Sequence, residues 1–297
     1  MKAKKIRLFH YTKADNLDKI LSSGLIRLTA TTNTNDPFEA SIRHPYPEDE
    51  ISDYLRRNCS PEVWNSDMQQ SPSLVVCLSA KMSSPSMWGH YADSHKGVCL
   101  VFDVPAFFIE HQAERDVFNP ALDRPIFPME YCDDKPIPEN HKDGDDEYNY
   151  KRIIRDSISR KGKEWEFEDE VRIPVATDLF TATKHTDIEW IDGWPYYNGL
   201  LGHLVGVILG IRSSLNAVWV ESRLNSLHYN NVKVIKAQPS QTSYYVEARH
   251  SDETVFEDSS IDVLEIRRMY VESPNATKYD QLWFMKPAPS PARRGVG

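Results

Sequence analysis

The chain has 297 residues, of which 40% are hydrophobic and 27% are charged, a composition typical of a globular protein with a sizeable core. Its formal net charge of -9 argues against broad, non-specific wrapping of nucleic acid, although it leaves room for a small basic groove. No apolar run approaches a membrane span, the first residues contain no signal-peptide core, and the four cysteines form no CxxC pair. We therefore expect a cytoplasmic protein that does not contact a membrane.

Hydrophobic patterning predicts an alternation of strands and helices. Strands are predicted at residues 6–11, 25–29, 73–80, 97–103, 126–131, 166–174, 204–211, 232–237 and 243–247. Helices are predicted around residues 17–21, capped by Thr12 or Asp15 and ended by Gly24, at 85–92, at 148–161, and between 212 and about 227. These elements favour a mixed α+β fold in one domain over residues 1–285, followed by a Pro-rich disordered tail at 286–297.

Two polar side chains stand out on the first predicted strand. His10 and Thr12 are two residues apart, so on a strand they would share a face. Such a pair can hold a ribose hydroxyl, while the backbone between them offers a donor and an acceptor. The same pattern fits a structural histidine at a strand end, and the residues alone leave both interpretations open.

Acidic residues alternate along the strand predicted at 166–174. Glu166, Glu168, Glu170 and Arg172 would fall on one face of that strand. Alternate carboxylates on a strand lie about 6 to 7 Å apart, so one could stabilise a developing cation while the other orients a nucleophile, as in glycoside cleavage. The alternative is a solvent-facing strand whose acids pair with Arg172 or nearby lysines. On such a face, Glu170→Gln is expected to change stability by no more than about 0.5 kcal/mol.

Aromatic side chains follow Pro85. Trp88 and Tyr91 are three residues apart, so they share a helix face and would either stack on a planar ring or pack in the core. Four potential metal ligands lie beside them in the sequence: His90, Asp93, His95 and Cys99. Their spacing matches no common zinc signature, so no metal site is expected.

A polar loop precedes these elements. Asn35 and Asp36 lie in a Thr- and Asn-rich run that ends at Pro37. Such loops satisfy their own polar groups through Asx turns, and that structural interpretation is favoured unless another cluster recruits the loop to a pocket.

Taken in order, these motifs resemble a known family. The series consists of LFHYT at 8–12, NDPFE at 35–39, VCLS at 76–79, MWGHYAD at 87–93, GVCL at 97–100 and KEWEFEDEVR at 163–172. It is similar to the bacterial domain-of-unknown-function family numbered 2971, over roughly residues 8–237. The name of that family carries no activity.

The opening segment supplies a second resemblance. His10-Tyr-Thr, followed by Asn16-Leu17, Ile20-Leu21 and Gly24-Leu25, is similar to the first strand and helix of ADP-ribosyltransferases, closest in style to bacterial toxins that modify DNA and to RNA 2′-phosphotransferases. Those enzymes place a His on the first strand against the adenosine ribose of NAD, and a Glu at the start of a later strand against the nicotinamide ribose. The resemblance implies an ADP-ribosyltransferase-like fold, with a central mixed or split β-sheet flanked by helices, and NAD as a substrate.

The resemblance also implies roles for individual residues. Glu170 would stabilise the oxocarbenium charge, Glu168 would orient or deprotonate the acceptor, and His10 would hold the adenosine ribose. Trp88 or Tyr91 would stack on nicotinamide. The residues expected to bind NAD are His10, Tyr11, Thr12, Asn35, Asp36, Trp88, Tyr91 and Arg172.

The acceptor of the ADP-ribose group is expected to be nucleic acid, either an RNA or a DNA base, with a protein acceptor as the alternative. A basic strip in the predicted helix could guide a single strand towards the site: Lys151, Arg152, Arg155, Arg160, Lys161 and Lys163. This strip could equally be a solvated helix face. An enzyme of this kind would harm its host, so we expect a toxin or a phage-defence effector, with an antitoxin or regulatory partner.

Two other classes of function stay open. A metal-free ribonuclease would use His90, His95 and Lys96 as its acid and base groups. A regulatory module would bind a nucleotide or a partner without turnover.

Overall fold

The fold is built around one large sheet. The computed structural model describes residues 5–42, 72–105, 126–135, 154–176, 187–250 and 253–259. The strands are β1 (Lys5–Thr12), β2 (Ile26–Arg27), β3 (Thr29–Ala30), β4 (Leu74–Ser79), β5 (Val98–Pro105), β6 (Phe127–Pro128), β7 (Glu130–Cys132), β8 (Arg160–Gly162), β9 (Glu170–Ala176), β10 (Ile188–Ile191), β11 (Trp194–Tyr197), β12 (Leu204–Leu209), β13 (Lys233–Lys236), β14 (Gln238–Pro239), β15 (Val246–His250) and β16 (Glu253–Phe256). The helices are α1 (Ala14–Ser23), α2 (Pro85–Tyr91) and α3 (Ala217–Ser226), with 3-10 helices at Thr31–Asn33, Lys163–Glu168 and Leu201–His203.

The central sheet is mixed. Its eight strands run in the order β13-β12-β5-β1-β4-β9-β6, with β3 paired to the β4 strand. The β12 and β13 strands are parallel, and the other pairs of this sheet are antiparallel. The expected α+β fold with a central mixed sheet is therefore confirmed.

The sheet is split in its middle. The β1 strand pairs with β5 along its whole length, from Lys5 to Thr12. It pairs with β4 at one position, where Phe9 lies opposite Ser79. By contrast, β4 pairs with β9 along its whole length. Leu74 lies opposite Ala176 at one end of this ladder, and Ser79 lies opposite Glu170 at the other. The gap between β1 and β4 leaves backbone and side-chain polar groups accessible in the middle of an otherwise continuous sheet.

Alternation along the strands gives the sheet two apolar faces. Leu8, Leu100 and Val171 contribute to one core, which α1 covers with its buried residues Leu17 and Leu21. On the opposite face lies a second core, which contains the residues Phe9, Tyr11, Trp88, Cys99, Val101 and Ile208. The two helices α1 and α2 thus pack against opposite faces of the β1 region.

The C-terminal end of α1 agrees with its prediction, and the N-terminal end does not. Gly24 adopts φ 73° and donates its backbone N–H to the Ile20 carbonyl, as expected for the residue that ends the helix. The predicted caps Thr12 and Asp15 are wrong, because Lys13 occupies the cap position and makes no side-chain capping hydrogen bond.

The acidic segment differs most from its prediction. Lys163–Glu168 forms a 3-10 helix, and Asp169 takes a left-handed conformation with φ 42° before β9 begins at Glu170. The prediction that four residues share one strand face is therefore wrong for Glu166 and Glu168, which lie on the 3-10 helix. It holds for Glu170 and Arg172, which are two residues apart on β9 and form an ion pair.

Two further elements are corrected. The helix predicted at 148–161 is helical at residues 154–158 and gives way to a strand at Arg160–Gly162. The strand predicted at 243–247 is observed at Val246–His250, where it pairs with β14 and β16. No helix among the described residues is long and apolar enough to cross a lipid bilayer. The tail predicted at 286–297 lies outside the described residues, as does most of the closing part of the predicted domain.

Gly97 provides a test of the packing between β1 and the turn that follows α2. A Cβ atom at Gly97 would lie 2.2 Å from the backbone oxygen of Thr12, which cannot move without displacing the strand. Gly97→Ala should therefore lower the free energy of unfolding by about 1 to 3 kcal/mol in denaturant titrations. The matched control is Gly89→Ala, where nothing lies within 4 Å of the added atom and the helix should gain up to about 1 kcal/mol. Equal effects of the two substitutions would contradict this packing.

Candidate active site

A cleft of about 220 Å³ opens at the split between β1 and β4. Its lining residues are Phe9, His10, Tyr11, Arg27, Thr29, Asn33, Thr34, Asn35, Cys77, Leu78, Ser79, Met87, Tyr91, Lys161, Glu168, Glu170 and Arg172. These side chains come from the sheet, from α2, from the loop after β3 and from the segment before β9. The cleft gathers most of the charged residues that are buried in the described part of this region.

A buried arginine holds the floor of the cleft together. The Arg172 side chain is fully buried on β9. Its Nε and Nη2 atoms donate to the two oxygens of Glu170 at 2.8 and 3.1 Å. Its Nη1 and Nη2 atoms donate to the two oxygens of Glu39 at 2.7 and 2.8 Å, and Nη1 also reaches the Ile158 carbonyl at 2.8 Å. One guanidinium therefore joins the sheet, the loop after β3 and the segment before β8.

Glu170 is a permanently charged carboxylate. Burial alone would raise its pKa, but Arg172 and Lys161 outweigh this effect and hold the pKa at about 2. Lys161 contributes through an ammonium group 3.3 Å from the Glu170 carboxylate. The group is thus an anion at every physiological pH.

Glu168 has a different environment although it lies nearby. It accepts hydrogen bonds from the Tyr91 hydroxyl and from Lys161 Nζ, the latter at 2.6 Å. Burial nevertheless raises the pKa of Glu168 above its ordinary value, against the lowering effects of Lys161 and Tyr91. Burial and the bond to Glu168 likewise raise the pKa of the Tyr91 hydroxyl. Two adjacent carboxylates whose environments push their pKa values apart are suited to different roles, one as a fixed charge and one as a proton acceptor.

Five ion-paired groups form what we call the buried network, and their charges do not cancel: Glu39, Lys161, Glu168, Glu170 and Arg172. Burial would lower the pKa of Lys161, but Glu170 and Glu168 raise it, so the ammonium stays charged. Within the part of the chain that the structure describes, Lys161 and Arg172 pair with three carboxylates, those of Glu39, Glu168 and Glu170, so these five groups carry one net negative charge when Glu168 is ionised. A site with this excess favours a ligand or transition state that develops positive charge.

His10 lies on the opposite side of the split from Glu170. Burial lowers the pKa of His10 against the opposing effect of a backbone hydrogen bond, which favours the neutral ring at pH 7. Its Nδ1 lies 3.4 Å from the Cys77 carbonyl, which can only accept, so Nδ1 carries the proton and Nε2 is left as an acceptor. The Nε2 atom of His10 can therefore accept a hydrogen bond from a hydroxyl group of a ligand.

The expected juxtaposition of His10 and Glu170 is found, with one correction. Both residues line the same cleft, although the register aligns Glu170 with Phe9 rather than with His10 across the intervening strand. They do not lie on neighbouring strands, because β4 runs between β1 and β9. The intervening residue is Ser79, which pairs with Phe9 on one side and with Glu170 on the other.

The polar loop after β3 is recruited to the cleft. Asn35 Nδ2 donates to the Tyr91 hydroxyl at 3.1 Å, and the Glu39 carboxylate holds Arg172. Asp36, by contrast, does not line the cleft. Its carboxylate accepts from the Phe38 N–H at 2.8 Å and forms the Asx turn that shapes the loop.

Three predicted NAD-binding residues thus fall outside the cleft lining, of which Asp36 is one. Thr12 is buried and accepts from Asn16 Nδ2 at 3.0 Å, so His10 and Thr12 do not act as a pair. Trp88 is fully buried, donates to the Met82 carbonyl at 2.8 Å and packs edge-on to Tyr11 with ring centroids 5.2 Å apart. Trp88 is therefore a core residue, and Tyr91 is the aromatic of that pair that reaches the cleft.

Two charged residues of the site were missed or misplaced by the sequence analysis: Glu39, which binds Arg172 from outside the cleft lining, and Lys161, which lines the cleft. Glu39 lay at the end of a recognised motif, but no local pattern indicated its pairing with a residue 133 positions away. Lys161 was assigned to a basic helix strip, yet its side chain is buried between two carboxylates.

The remaining described members of that strip are also paired. Arg155 is buried against Asp156, Arg160 lies 3.1 Å from Glu130, and Lys163 lies 2.6 Å from Asp133. Lys151 and Arg152 lie outside the described residues. The prediction of a continuous basic strip is wrong for the four members that the structure describes.

The two histidines of the ribonuclease alternative, His90 and His95, lie in different surroundings. His95 lines another cavity, formed with residues 239–246, and its ring stacks on Trp88. His90 lies against the Phe167 ring, with centroids 5.6 Å apart. Neither histidine lines the cleft that holds the charged network. Within the described ranges, no group of three or more His, Cys, Asp or Glu side chains is arranged to hold a metal ion.

Comparison with known proteins supports one of the two resemblances in part. The family model described as a protein of unknown function (DUF2971) matches residues 87–173. This segment contains α2 and Tyr91 at one end and the Glu168–Arg172 stretch at the other. No curated protein and no solved structure matches the chain.

Arg172 provides a test of the network's contribution to stability. Arg172→Leu would leave Glu39 without its described cation and Glu170 with Lys161 alone, and breaking a buried pair in this way costs about 3 to 5 kcal/mol. Arg7→Leu is the matched control, because Arg7 makes a similar bidentate pair with Asp103 that is partly exposed and is worth about 0 to 1 kcal/mol. Urea unfolding of both variants should separate by at least about 2 kcal/mol. Comparable losses would contradict the central position of Arg172.

The pKa of Glu170 predicts a pH dependence of stability. The pKa is lower in the folded chain than its ordinary value of 4.5, so the ionised carboxylate stabilises the fold above about pH 4.5. This contribution is lost as the pH falls towards 2. The difference in unfolding free energy between the wild type and Glu170→Gln should therefore shrink between pH 5 and pH 2, roughly the range set by these pKa values. A difference that is independent of pH would contradict the ion-paired state of Glu170.

Proposed function

We propose that this protein is an NAD-dependent ADP-ribosyltransferase. The observation that carries the proposal is that His10 and the two carboxylates Glu168 and Glu170 line one cleft at the split of the sheet. In the enzymes that the opening motif resembles, a first-strand His and a Glu at the start of a later strand bind NAD from two sides. Glu170 is the first residue of β9, which fits that arrangement.

Glu170 would act through its fixed negative charge. When the bond between the nicotinamide nitrogen and the ribose C1′ breaks, its electron pair leaves with nicotinamide and positive charge develops on the sugar. A carboxylate with a pKa of about 2 stays ionised throughout this step. The net negative charge of the buried network would add to the same stabilisation, which for one preorganised group is commonly worth about 10² to 10³ in rate.

Glu168 would accept the proton of the acceptor nucleophile. Its raised pKa brings it closer to the pH at which a general base is effective. Of the roughly four acceptor positions of a carboxylate, Tyr91 and Lys161 occupy two among the described residues. The remaining positions can receive a hydroxyl or amine of the substrate, whose nucleophilic atom then bonds to C1′.

His10 and Tyr91 would position the dinucleotide. The Nε2 atom of neutral His10 can accept a hydrogen bond from the adenosine ribose. The half-buried ring of Tyr91 lines the cleft next to Glu168, where it can contact the nicotinamide ring.

For the acceptor, we propose a base of RNA or DNA. Two aromatic side chains, one exposed and one partly buried, contact cations on segments next to the cleft, and single-strand binding commonly uses such aromatic and cationic groups. Phe38 is 64% exposed and lies 4.8 Å beneath Lys135 Nζ. Trp165 lies on the 3-10 helix that supplies Glu168, with its ring 4.7 Å from Lys161 Nζ. The exposed pair of Phe38 and Lys135 replaces the basic helix strip as the support for a nucleic-acid acceptor, because Lys161 is already bound by Glu168 and Glu170.

The proposed biological role is that of a cytoplasmic toxin or phage-defence effector that is restrained by an antitoxin or a trigger. Its support is the toxin-like opening motif at His10. Strong expression of the wild-type chain in bacteria should arrest growth, and Glu170→Gln should relieve the arrest. Unaffected growth under strong expression would contradict constitutive toxicity.

The two carboxylates should give different defects in enzyme assays. Glu170→Gln should lower both nicotinamide release and label transfer from NAD by about 10² to 10³. Glu168→Gln should lower transfer to the acceptor while hydrolysis of NAD to free ADP-ribose persists, because acceptor activation is lost and bond cleavage is not. Labelled NAD with mixed cellular RNA, DNA and protein provides the measurement.

A control is needed because Glu170 is buried and its ion pairs contribute to the fold. The expectation that Glu170→Gln leaves stability within about 0.5 kcal/mol assumed a solvent-facing strand, and the burial of Glu170 removes that assumption. Melting curves must therefore accompany each assay, and the matched variant is Glu166→Gln, an exposed residue on the 3-10 helix that carries Glu168. Full activity in Glu170→Gln, or the same loss in Glu166→Gln, would overturn the assignment.

A further inference from the structure

Arg27 lies at the mouth of the cleft on the short strand β2. Its guanidinium carbon lies 3.8 Å from the centroid of the Trp194 ring, so the two groups are in close cation–π contact. Arg27 is exposed, and Trp194 is 44% exposed. The arginine is therefore fixed by an aromatic support at a place where solvent and ligands can reach it.

Strand pairing fixes the position of this contact. Arg27 lies opposite Tyr196 in the ladder between β2 and β11, and the next residue, Leu28, donates its N–H to the Pro195 carbonyl at 2.9 Å. The hairpin turn that precedes Trp194 is tight, with φ 50° at Asp192 and 78° at Gly193. The aromatic support thus belongs to a hydrogen-bonded hairpin.

Arg27 differs from the other cations that line the cleft. Lys161 is bound by Glu168 and Glu170, and Arg172 is bound by Glu39 and Glu170. Among the residues that the structure describes, no carboxylate forms an ion pair with Arg27. The positive charge of Arg27 is therefore available to a ligand, whereas those of Lys161 and Arg172 are already neutralised.

The charge of the buried network makes such a cation necessary for a phosphate ligand. Among the described residues, the three carboxylates and two cations of the buried network carry one net negative charge, which repels an anion. The guanidinium of Arg27, 3.8 Å from the Trp194 ring centroid, is planar, and its N–H donors match phosphate oxygens. The cleft therefore combines an inner region that favours cations with an outer group that favours phosphate.

We propose that Arg27, supported by Trp194, is the phosphate-binding subsite of the cleft and holds the diphosphate of the dinucleotide substrate. The proposal rests on the proposed function for the identity of the whole ligand. It places the diphosphate at the mouth, which leaves the inner carboxylates to the ribose that develops positive charge.

Calorimetric titration of the full chain with ADP-ribose and with inorganic diphosphate tests the subsite without requiring turnover. Arg27→Gln should weaken ADP-ribose binding about 10- to 100-fold, the range for losing a charge-assisted hydrogen bond. Trp194→Ala should weaken it by a smaller factor of about 3 to 10, because the arginine remains but loses its support. Arg223→Gln is the matched control, since it removes a partly exposed arginine that pairs with Asp18 and does not line the cleft. This control should stay within about twofold of the wild type.

The outcomes separate the subsite from the proposed function. Unchanged ADP-ribose binding in Arg27→Gln would overturn the subsite even if the wild type cleaves NAD. Arg27-dependent binding of diphosphate by a chain that releases no nicotinamide from NAD would support the subsite and overturn the proposed function. A wild type that binds neither ADP-ribose nor diphosphate would overturn the subsite.

Discussion

A fully buried guanidinium between two carboxylates is the constraint on which the rest of the site depends. Arg172 joins Glu170 on the sheet to Glu39 on the loop after β3, and the same loop brings Asn35 to Tyr91. Because an unpaired charge in this position is costly, the sheet and the loop must come together for either to be stable. The ion pair with Arg172 also separates the protonation behaviour of the two carboxylates. It keeps Glu170 ionised, whereas Glu168, which Arg172 does not contact, has a raised pKa.

Features with a local physical cause were predictable from the sequence. The strand predicted at residues 6–11 from its β-forming side chains corresponds to β1, and Gly24 ends α1 because it tolerates a left-handed conformation. The pairing of a first-strand His10 with Glu170 in one cleft followed from the resemblance rather than from the pattern. It was located correctly, although an intervening strand was not foreseen.

Features that depend on distant partners were not predictable. Alternating charge from Glu166 to Arg172 indicates a strand only if the chain stays extended, and the 3-10 helix that ends at the left-handed Asp169 removes Glu168 from the strand. Lys161 looked like a solvated helix residue because its two carboxylate partners become neighbours only in the folded chain. Trp88 and Tyr91 share a helix face, yet the second core covers Trp88 and leaves Tyr91 at the cleft. Helical spacing alone cannot make that distinction.

The most direct test of the account is a mass balance on NAD that carries separate labels in its nicotinamide and adenylate halves. The purified wild-type chain would be incubated with this NAD and with RNA, DNA and protein fractions in parallel. The account predicts nicotinamide release together with adenylate label bound covalently to a nucleic-acid fraction. Intact NAD in every fraction, with a folded protein and no release of nicotinamide, would contradict the assignment of the cleft to ADP-ribosyl transfer.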